Sequence, residues 1–480
     1  MFWRKNTIAD NDKANRQIMK VTYIFVGLFI LLISHIFYFT AFESENFINN
    51  PYNDKRAQLL SKKIVRGTVY SRNGDVLAKT YTDDAGNETR VYPYGPLFAH
   101  AVGFVSHGSS GIEQIAGFKL LKSDDAPATR IRNDLAGIKN KGDSVFTTLD
   151  TSLQATAYSA LGDRKGAVVV FNVKTGEILA LISKPDFDPN RIDDIWDAVN
   201  EDTLNSPLLN RATQGLYPPG STFKIVTALE FIKENPATDK YGFDCTGSFE
   251  ENGVKINCYH GQQHGHMDFS SSFARSCNSS FANISSTLNK ESFGKTCDDL
   301  LFNKGIPCPY GYKNSYVDMS KDTSFGELIQ AGIGQGRTQI TPMHMAMITG
   351  AIANNGMLMK PMVISSVKNI VGGTVRTYGY KEYARLMSPE ESLALKDLMR
   401  QVVISGTGSR LQETNGYEAA GKTGSAEYSA DKTKSHAWFT GFAPFDDPEI
   451  AVTVIVEGGG SGGETAVPIA RMVFDDYFSN

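Results

Sequence analysis

A serine three residues ahead of a lysine can supply a nucleophile and its base, and Ser221-Thr-Phe-Lys224 offers such a pair in a telling context. Tyr217-Pro-Pro-Gly220 precedes it, a turn that cannot continue a helix, and Ile225-Val-Thr-Ala-Leu229 follows, an apolar run that can. Ser221 is therefore predicted at a helix N-terminus, with Lys224 one turn on along the same face. There the positive end of the helix dipole favours negative charge on the serine oxygen and on an incoming oxyanion. A lysine held beside a serine in a partly desolvated site loses its proton and serves as the base. The competing reading, an N-cap serine beside a solvated lysine, suits any one such pair taken alone.

Two further strings supply the rest of an acyl-transfer site. Ser276-Cys-Asn278, at the close of a helical stretch, carries a hydroxyl able to relay protons and an amide able to hold a substrate carbonyl. Lys422-Thr-Gly424 comes last, ahead of strand-like sequence. Its glycine leaves an edge strand bare enough for an extended peptide, and Lys422 with Thr423 suits a terminal carboxylate. Each string also recurs elsewhere: Ser-x-x-Lys at Ser292, Ser365 and Ser429, Ser-x-Asn at Ser44 and Ser71, and Lys-Thr-Gly at Lys174. Lys174-Thr-Gly176 falls in a hairpin turn, where glycine is wanted for geometry, and reads as a decoy.

The chain has five cysteines, too few for a disulfide scaffold. Cys245, Cys258, His264 and Cys277 make a complete tetrahedral zinc set of three thiolates and one imidazole, with His260 or His266 as substitute ligands. The alternatives are a Cys245–Cys258 disulfide and buried free thiols at Cys277, Cys297 and Cys308.

These groups need elements to position them. A length of 480 residues suggests roughly two or three domains. A formal net charge of -4 argues against a nucleic-acid binder. Residues 21–42 form an apolar run broken only by Thr22, Gly27, Ser34, His35 and Thr40, long enough to cross the ~30 Å hydrocarbon core as a helix. The run exceeds the ~7–15 apolar residues of a cleaved signal peptide, and no small-x-small site follows it, so it reads as an anchor. Arg4, Lys5, Lys13, Arg16 and Lys20 precede it. They keep residues 1–20 cytoplasmic and send residues 43–480 outside.

Residues 43–147 are expected to form a small irregular α+β module that opens with a hairpin around Asn73-Gly74. Residues 148–480 read as a second domain. Gly166-Ala-Val-Val-Val-Phe171 and Gly176-Glu-Ile-Leu-Ala-Leu-Ile182 predict a central antiparallel hairpin. Helical patterns run from Ser221 to about Leu301, over 341–354 and over 389–403. Strand-like runs return at 436–443 and 450–456. The fold class is therefore α/β (α+β), with helices inserted between the first and last strands of one sheet. The string Gly458-Gly-Gly-Ser-Gly-Gly463 looks like a mobile loop.

With its three strings in this order, the sequence resembles the penicillin-binding proteins and serine β-lactamases. Asn210-Arg-Ala-Thr213 through Pro218-Pro-Gly-Ser-Thr-Phe-Lys224, Gly334-Gln-Gly-Arg-Thr-Gln-Ile-Thr-Pro342, Gly406-Thr-Gly408 and Trp438-Phe-Thr-Gly-Phe-Ala-Pro444 resemble class B penicillin-binding proteins. So does the Arg66-Gly67 hairpin, although Ser71 stands where the family usually has Asp. The likeness spans roughly residues 60–475. It implies a pedestal domain below a penicillin-binding transpeptidase domain that acts on the D-Ala-D-Ala end of a peptidoglycan stem peptide and is acylated by β-lactams.

Residue by residue, the resemblance implies Ser221 as the acylated nucleophile and Lys224 as its base. Ser276 and Asn278 become proton-relay and substrate-binding groups, and Lys422 and Thr423 the carboxylate and electrostatic site. Gly424 and Ser425 bind substrate, and the backbone N–H groups of Ser221 and Ser425 form the oxyanion hole. No cofactor is needed for catalysis. Some class B relatives place a metal near the Ser-x-Asn string. Since residues 43–147 are too few and irregular for a glycosyltransferase domain, the implied partner is a multi-spanning membrane glycan polymerase.

Rival readings remain within and outside enzymes. A β-lactamase needs a water-activating glutamate after the Ser-x-Asn string, but the Glu201 to Asn205 string precedes Ser221. A D,D-carboxypeptidase would use water as acceptor. A β-lactam receptor or scaffold would need an output domain, for which residues 1–20 leave no room.

Overall fold

The computed structural model describes residues 3–40, 54–412, 416–428 and 434–479, so Ser44 and Ser429 lie outside the described residues. The chain divides into two units, Met1–Gln58 and Leu59–Asn480. The first contains a helix, Trp3–Tyr38, whose segment Arg16–Tyr38 is long and apolar enough to cross a membrane. Thr22 and Thr40, two of the polar interruptions, donate their hydroxyls to the carbonyls of Ile18 and Ile36 at 2.9 and 2.7 Å. That back-bonding satisfies them within the helix.

In the second unit, largely buried strands, β-branched and aliphatic at the centre and glycine-containing at the Ala420–Glu427 edge, build a five-stranded antiparallel sheet. Its order is Ala420–Glu427, Ser435–Ala443, Ile450–Val456, Gly166–Asn172, Ile178–Lys184. Side chains alternate between two packed layers. Val168, Val170, Val452 and Val454 face helices Thr151–Leu161 and Val467–Ser479. Val169, Phe171, Ala451 and Ile455 face the opposite layer, which holds the wholly buried helix Pro342–Ala353. The inserted helices and returning strands match the sequence expectation. Ala420–Glu427, which carries Lys422-Thr-Gly424, is an edge strand as predicted.

A six-stranded sheet lies in residues 69–147 and 364–377, in the order Thr374–Thr377, Ile364–Lys368, Ser144–Thr147, Val69–Tyr70, Val76–Thr82, Glu88–Val91. The predicted hairpin is there: Ser71 Oγ accepts from the backbone of Asn73 and Asp75 at 3.2 and 3.0 Å. Two of the six strands come from beyond residue 147, so the module expected from 43–147 is completed by a segment that sequence reading placed in the second domain. Local pattern carries no sign of that return.

Residues 242–268 also depart from the helical reading. They form two small antiparallel pairs, Gly242–Cys245 with Gly265–Asp268 and Ser248–Glu251 with Val254–Asn257. Asn252 and Gly253 make the inner turn at φ 49° and 77°, left-handed values that Asn-Gly tolerates and that end a helix. The glycine-rich loop 458–463 is pinned rather than loose. Gly460 N donates to Ser435 O at 2.9 Å, Gly458 N to His436 Nδ1 at 3.1 Å, and Thr465 Oγ1 to Gly459 O at 2.8 Å.

Candidate active site

Ser221 lies in a 3₁₀ turn, Gly220–Phe223, that feeds helix Lys224–Glu234. The turn is clamped from outside. Gly220 N donates to Gly334 O at 2.9 Å, and Trp438 Nε1 donates to Pro218 O at 3.0 Å. Gly334 sits at φ +75°, and a Cβ there would fall 2.0 Å from Gly220 O, so only glycine allows this approach.

Lys224 is fully buried. Its ammonium donates to Ser276 O at 2.7 Å and to Asn278 Oδ1 at 2.8 Å, with Ser276 Oγ at 3.4 Å. Lys422, also fully buried, donates to the same Ser276 Oγ at 2.8 Å. Ser276 holds this bridging position at φ +58°, between helices Phe269–Ala274 and Asn278–Thr287. Burial lowers the Lys224 pKa to about 8, against opposing contributions from Cys277 and Cys258. Burial, aided by the Lys224 charge, holds Lys422 well below the usual lysine range.

Ser221, Ser276, Asn278, Thr423, Gly424 and Ser425 line one cleft of about 360 Å³. The three strings thus converge, as their order predicted. Lys422 differs from expectation: its ammonium is turned inward to Ser276, so the strand offers Thr423, Gly424 and Ser425 to the cleft instead. Gly424 passes where a Cβ would stand 3.0 Å from Pro219 O, which fixes the strand closely against the Ser221 turn.

The structure also brings in residues that the sequence reading gave no role. Thr407 hydrogen-bonds Thr423 through its hydroxyl, and Arg275, Arg410 and Glu464 line the cleft. For Thr407 the Gly406-Thr-Gly408 string was the available signal. Nothing in the sequence marked the two arginines. The decoys have local duties. Gly176 turns at φ +81° between two strands, Ser292 is the third residue of a helix, and Ser365 donates to Phe146 O at 3.0 Å within a sheet.

Cys245, Cys258, His264 and Cys277 come together beside this cleft, with their ligand atoms all within 4.8 Å of one another. Cys245 Sγ lies 3.6 Å from Cys258 Sγ and 3.4 Å from His264 Nδ1, and Cys258 Sγ lies 3.7 Å from Cys277 Sγ. A tetrahedral site with zinc–sulfur bonds of ~2.3 Å has ligand edges of about 3.8 Å, so the donor set fits that metal's size and chemistry. All five cysteines are free, so the structure has no Cys245–Cys258 disulfide. Hydrogen bonding from Cys277 holds the Cys258 thiol below its usual range, while the same contact raises Cys277. His260 and His266 lie outside the cluster: His260 sits against the Tyr259 ring, and His266 pairs with Asp244 at 2.8 Å. Cys297 is buried in the main core, with Cys308 packed against it.

The cluster is mechanically joined to the cleft. Cys277 stands between Ser276 and Asn278, Cys258 Sγ contacts Ser279 Oγ at 3.0 Å, and Asn278 Nδ2 donates to Asn257 O at 3.2 Å.

Comparisons with known proteins agree with this architecture. The penicillin binding protein transpeptidase domain family matches residues 166–475, and the penicillin binding protein A dimerisation domain family matches residues 66–145. The peptidoglycan D,D-transpeptidase PbpA of Mycolicibacterium smegmatis is 30% identical, over 95% of this chain and 98% of its own. Penicillin-binding protein A from M. tuberculosis, solved as a ceftriaxone acyl-enzyme complex, superposes with a TM-score of 0.80 at 28% identity, covering 87% of this chain and 99% of that one. The D,D-transpeptidase domain of a peptidoglycan glycosyltransferase from Eggerthella lenta gives a TM-score of 0.79 at 28% identity, with the same coverage. With the three strings in one cleft and a match across most of its length, this chain belongs to the penicillin-binding protein transpeptidase family.

Proposed function

We propose that the protein is a serine-type peptidoglycan D,D-transpeptidase that cross-links stem peptides and is acylated by β-lactams. The observation that carries this reading is the joint bonding of Ser276 by two buried lysines, next to Ser221 and the edge strand. Ser221 Oγ attacks the carbonyl of the penultimate D-Ala, and neutral Lys224 takes its proton. The backbone N–H groups of Ser221 and Ser425 stabilise the oxyanion. Ser276, bonded to Lys422, relays the proton to the departing D-Ala amine. Asn278 holds the peptide, and Thr423 and Ser425 receive its carboxylate, with Lys422 acting as charge rather than as direct ligand. An amine from a neighbouring stem peptide then displaces Ser221. No cofactor takes part.

This mechanism fixes a pH response. The base is neutral Lys224, so penicillin acylation should rise as pH increases through about 8, the value to which burial lowers this lysine. The same shift costs about 3 kcal/mol of stability at neutral pH, since the unfolded lysine keeps its proton up to about 10.5. Below pH about 8 both states are protonated and the full cost stands; it recedes between about 8 and 10.5. A stopped-flow acylation profile that stayed flat from pH 6 to 9 would contradict the assignment.

Residues 21–42 serve as a single-pass anchor with the N-terminus cytoplasmic, and the catalytic unit lies outside the membrane. The match at 66–145 supports a pedestal beneath a transpeptidase domain. The protein is proposed to work with a separate multi-spanning glycan polymerase. A structural zinc on Cys245, Cys258, His264 and Cys277 would hold the 245–264 loop against the helix that presents Asn278. The test uses purified full-length protein with fluorescent penicillin, donor and acceptor stem peptides, and lipid-linked disaccharide. Covalent labelling and cross-linked dimer without glycan polymer are expected. Release of free D-Ala with no dimer would favour a carboxypeptidase, and glycan polymer would remove the need for a partner.

A further inference from the structure

We infer that the pedestal face built from residues 59–65 and 130–141 is a second membrane contact, taking the headgroup layer of an anionic phospholipid leaflet. This rests on the anchored topology proposed above and adds a surface that reads the lipid's charge. Helix Pro127–Leu135 has no buried residue, although Ile131 and Leu135 stand one turn apart on one face. They are 59% and 85% exposed, and Ile138 just beyond the helix is 59% exposed. Leu59, at 63%, joins them from the neighbouring segment.

The two segments are one surface. Lys139 Nζ donates to Ser61 O at 2.8 Å, Asn140 N donates to Lys63 O at 3.1 Å, and strands Ile64–Val65 and Asn140–Lys141 pair in parallel. Lys62, Lys63, Arg130, Arg132 and Lys141 are exposed on these same segments, against Asp134. Lys139 is matched by Glu88 at 2.7 Å. The excess of positive charge is local, because the chain as a whole carries -4.

Aliphatic side chains set among lysines and arginines are the composition of an interfacial membrane segment. A protein-binding patch would be depleted in lysine and would carry aromatic anchors, and these two segments have no Tyr, Trp or Phe. The tether permits the contact. Residues 41–53, able to span up to ~3.5 Å each, leave ample chain between the apolar helix and helix Asp54–Ser61, which carries Leu59.

The test places full-length protein in nanodiscs, with Leu135 replaced by the photoreactive p-benzoylphenylalanine. Discs of phosphatidylcholine alone and discs with one third phosphatidylglycerol are compared. Lipid adducts at position 135 are expected with the anionic lipid, and should fall at least ten-fold in neutral discs or in 1 M salt. Lys63→Glu and Arg132→Glu should each lower adduct yield about five-fold or more, with penicillin labelling intact as a check on folding. Protein retained in the disc without lipid adducts would overturn the inference alone, as would adducts to a second copy or, in native membranes, only to another protein. Protein washed from the disc by alkaline carbonate would overturn the anchor reading and this inference together.

Discussion

Ser221→Ala protein should show no covalent penicillin adduct by fluorescence or intact mass, while its melting temperature stays within about a degree of the wild type. The substitution removes the one atom that can carry the acyl group, so the expected loss is complete rather than graded. Folding should be spared because other atoms hold the turn. Trp438 Nε1 bonds Pro218 O, Gly220 N bonds Gly334 O, and Thr222 Oγ1 bonds Pro219 O at 2.8 Å. A change at a half-buried position outside those contacts is expected to cost no more than about 0.5 kcal/mol. Ser292→Ala, Ser365→Ala and Ser429→Ala should label normally. An adduct retained on Ser221→Ala protein, mapped by peptide mass to another serine, would move the nucleophile.

Ser221 could be found in the sequence because its neighbourhood is written locally: a Pro-Pro-Gly turn, a serine, and an apolar helical run. Its partners were reachable because their strings recur in fixed chain order. What the sequence concealed was direction and return. Lys422 sits on a strand whose pleat turns its ammonium inward to Ser276, and period-two alternation fixes which faces alternate, not which one meets the cleft. Strands Ile364–Lys368 and Thr374–Thr377 complete a sheet begun at Val69, with Lys368 pairing to Ser144 across 224 residues (368 − 144), and pairing at that separation leaves no local trace. Residues 242–268 misled for another reason. Their short strands carry only 4 residues each, too few to establish a period between flanking helices.

That same stretch carries three of the four residues of the cysteine–histidine cluster, and removing metal from the cluster should lower stability and acylation together. Tetrahedral zinc in comparable small sites contributes on the order of 10 kcal/mol of apparent binding energy. Here the bonds would join two short hairpins, which bury little of their own, to the start of helix Asn278–Thr287. Without metal, Cys258 and Cys277 keep only weak sulfur contacts, to each other at 3.7 Å and to Ser279 Oγ and Ser280 N, and Asn257 O has less to hold it on Asn278 Nδ2. Asn278 Oδ1 is one of the acceptors that fix the Lys224 ammonium, so loosening it disturbs the base as well. Purified protein is therefore expected to contain about one zinc per chain by elemental analysis. A strong chelator or Cys258→Ser should lower the melting temperature by on the order of 10 °C and slow penicillin acylation about ten-fold or more. Cys297→Ser, in the core and away from the cluster, should leave the acylation rate and zinc content unchanged. Metal-free protein with full activity, or a Cys245–Cys258 disulfide mapped in the native state, would leave Cys277 as a small buried apolar residue and the hairpins held by packing alone.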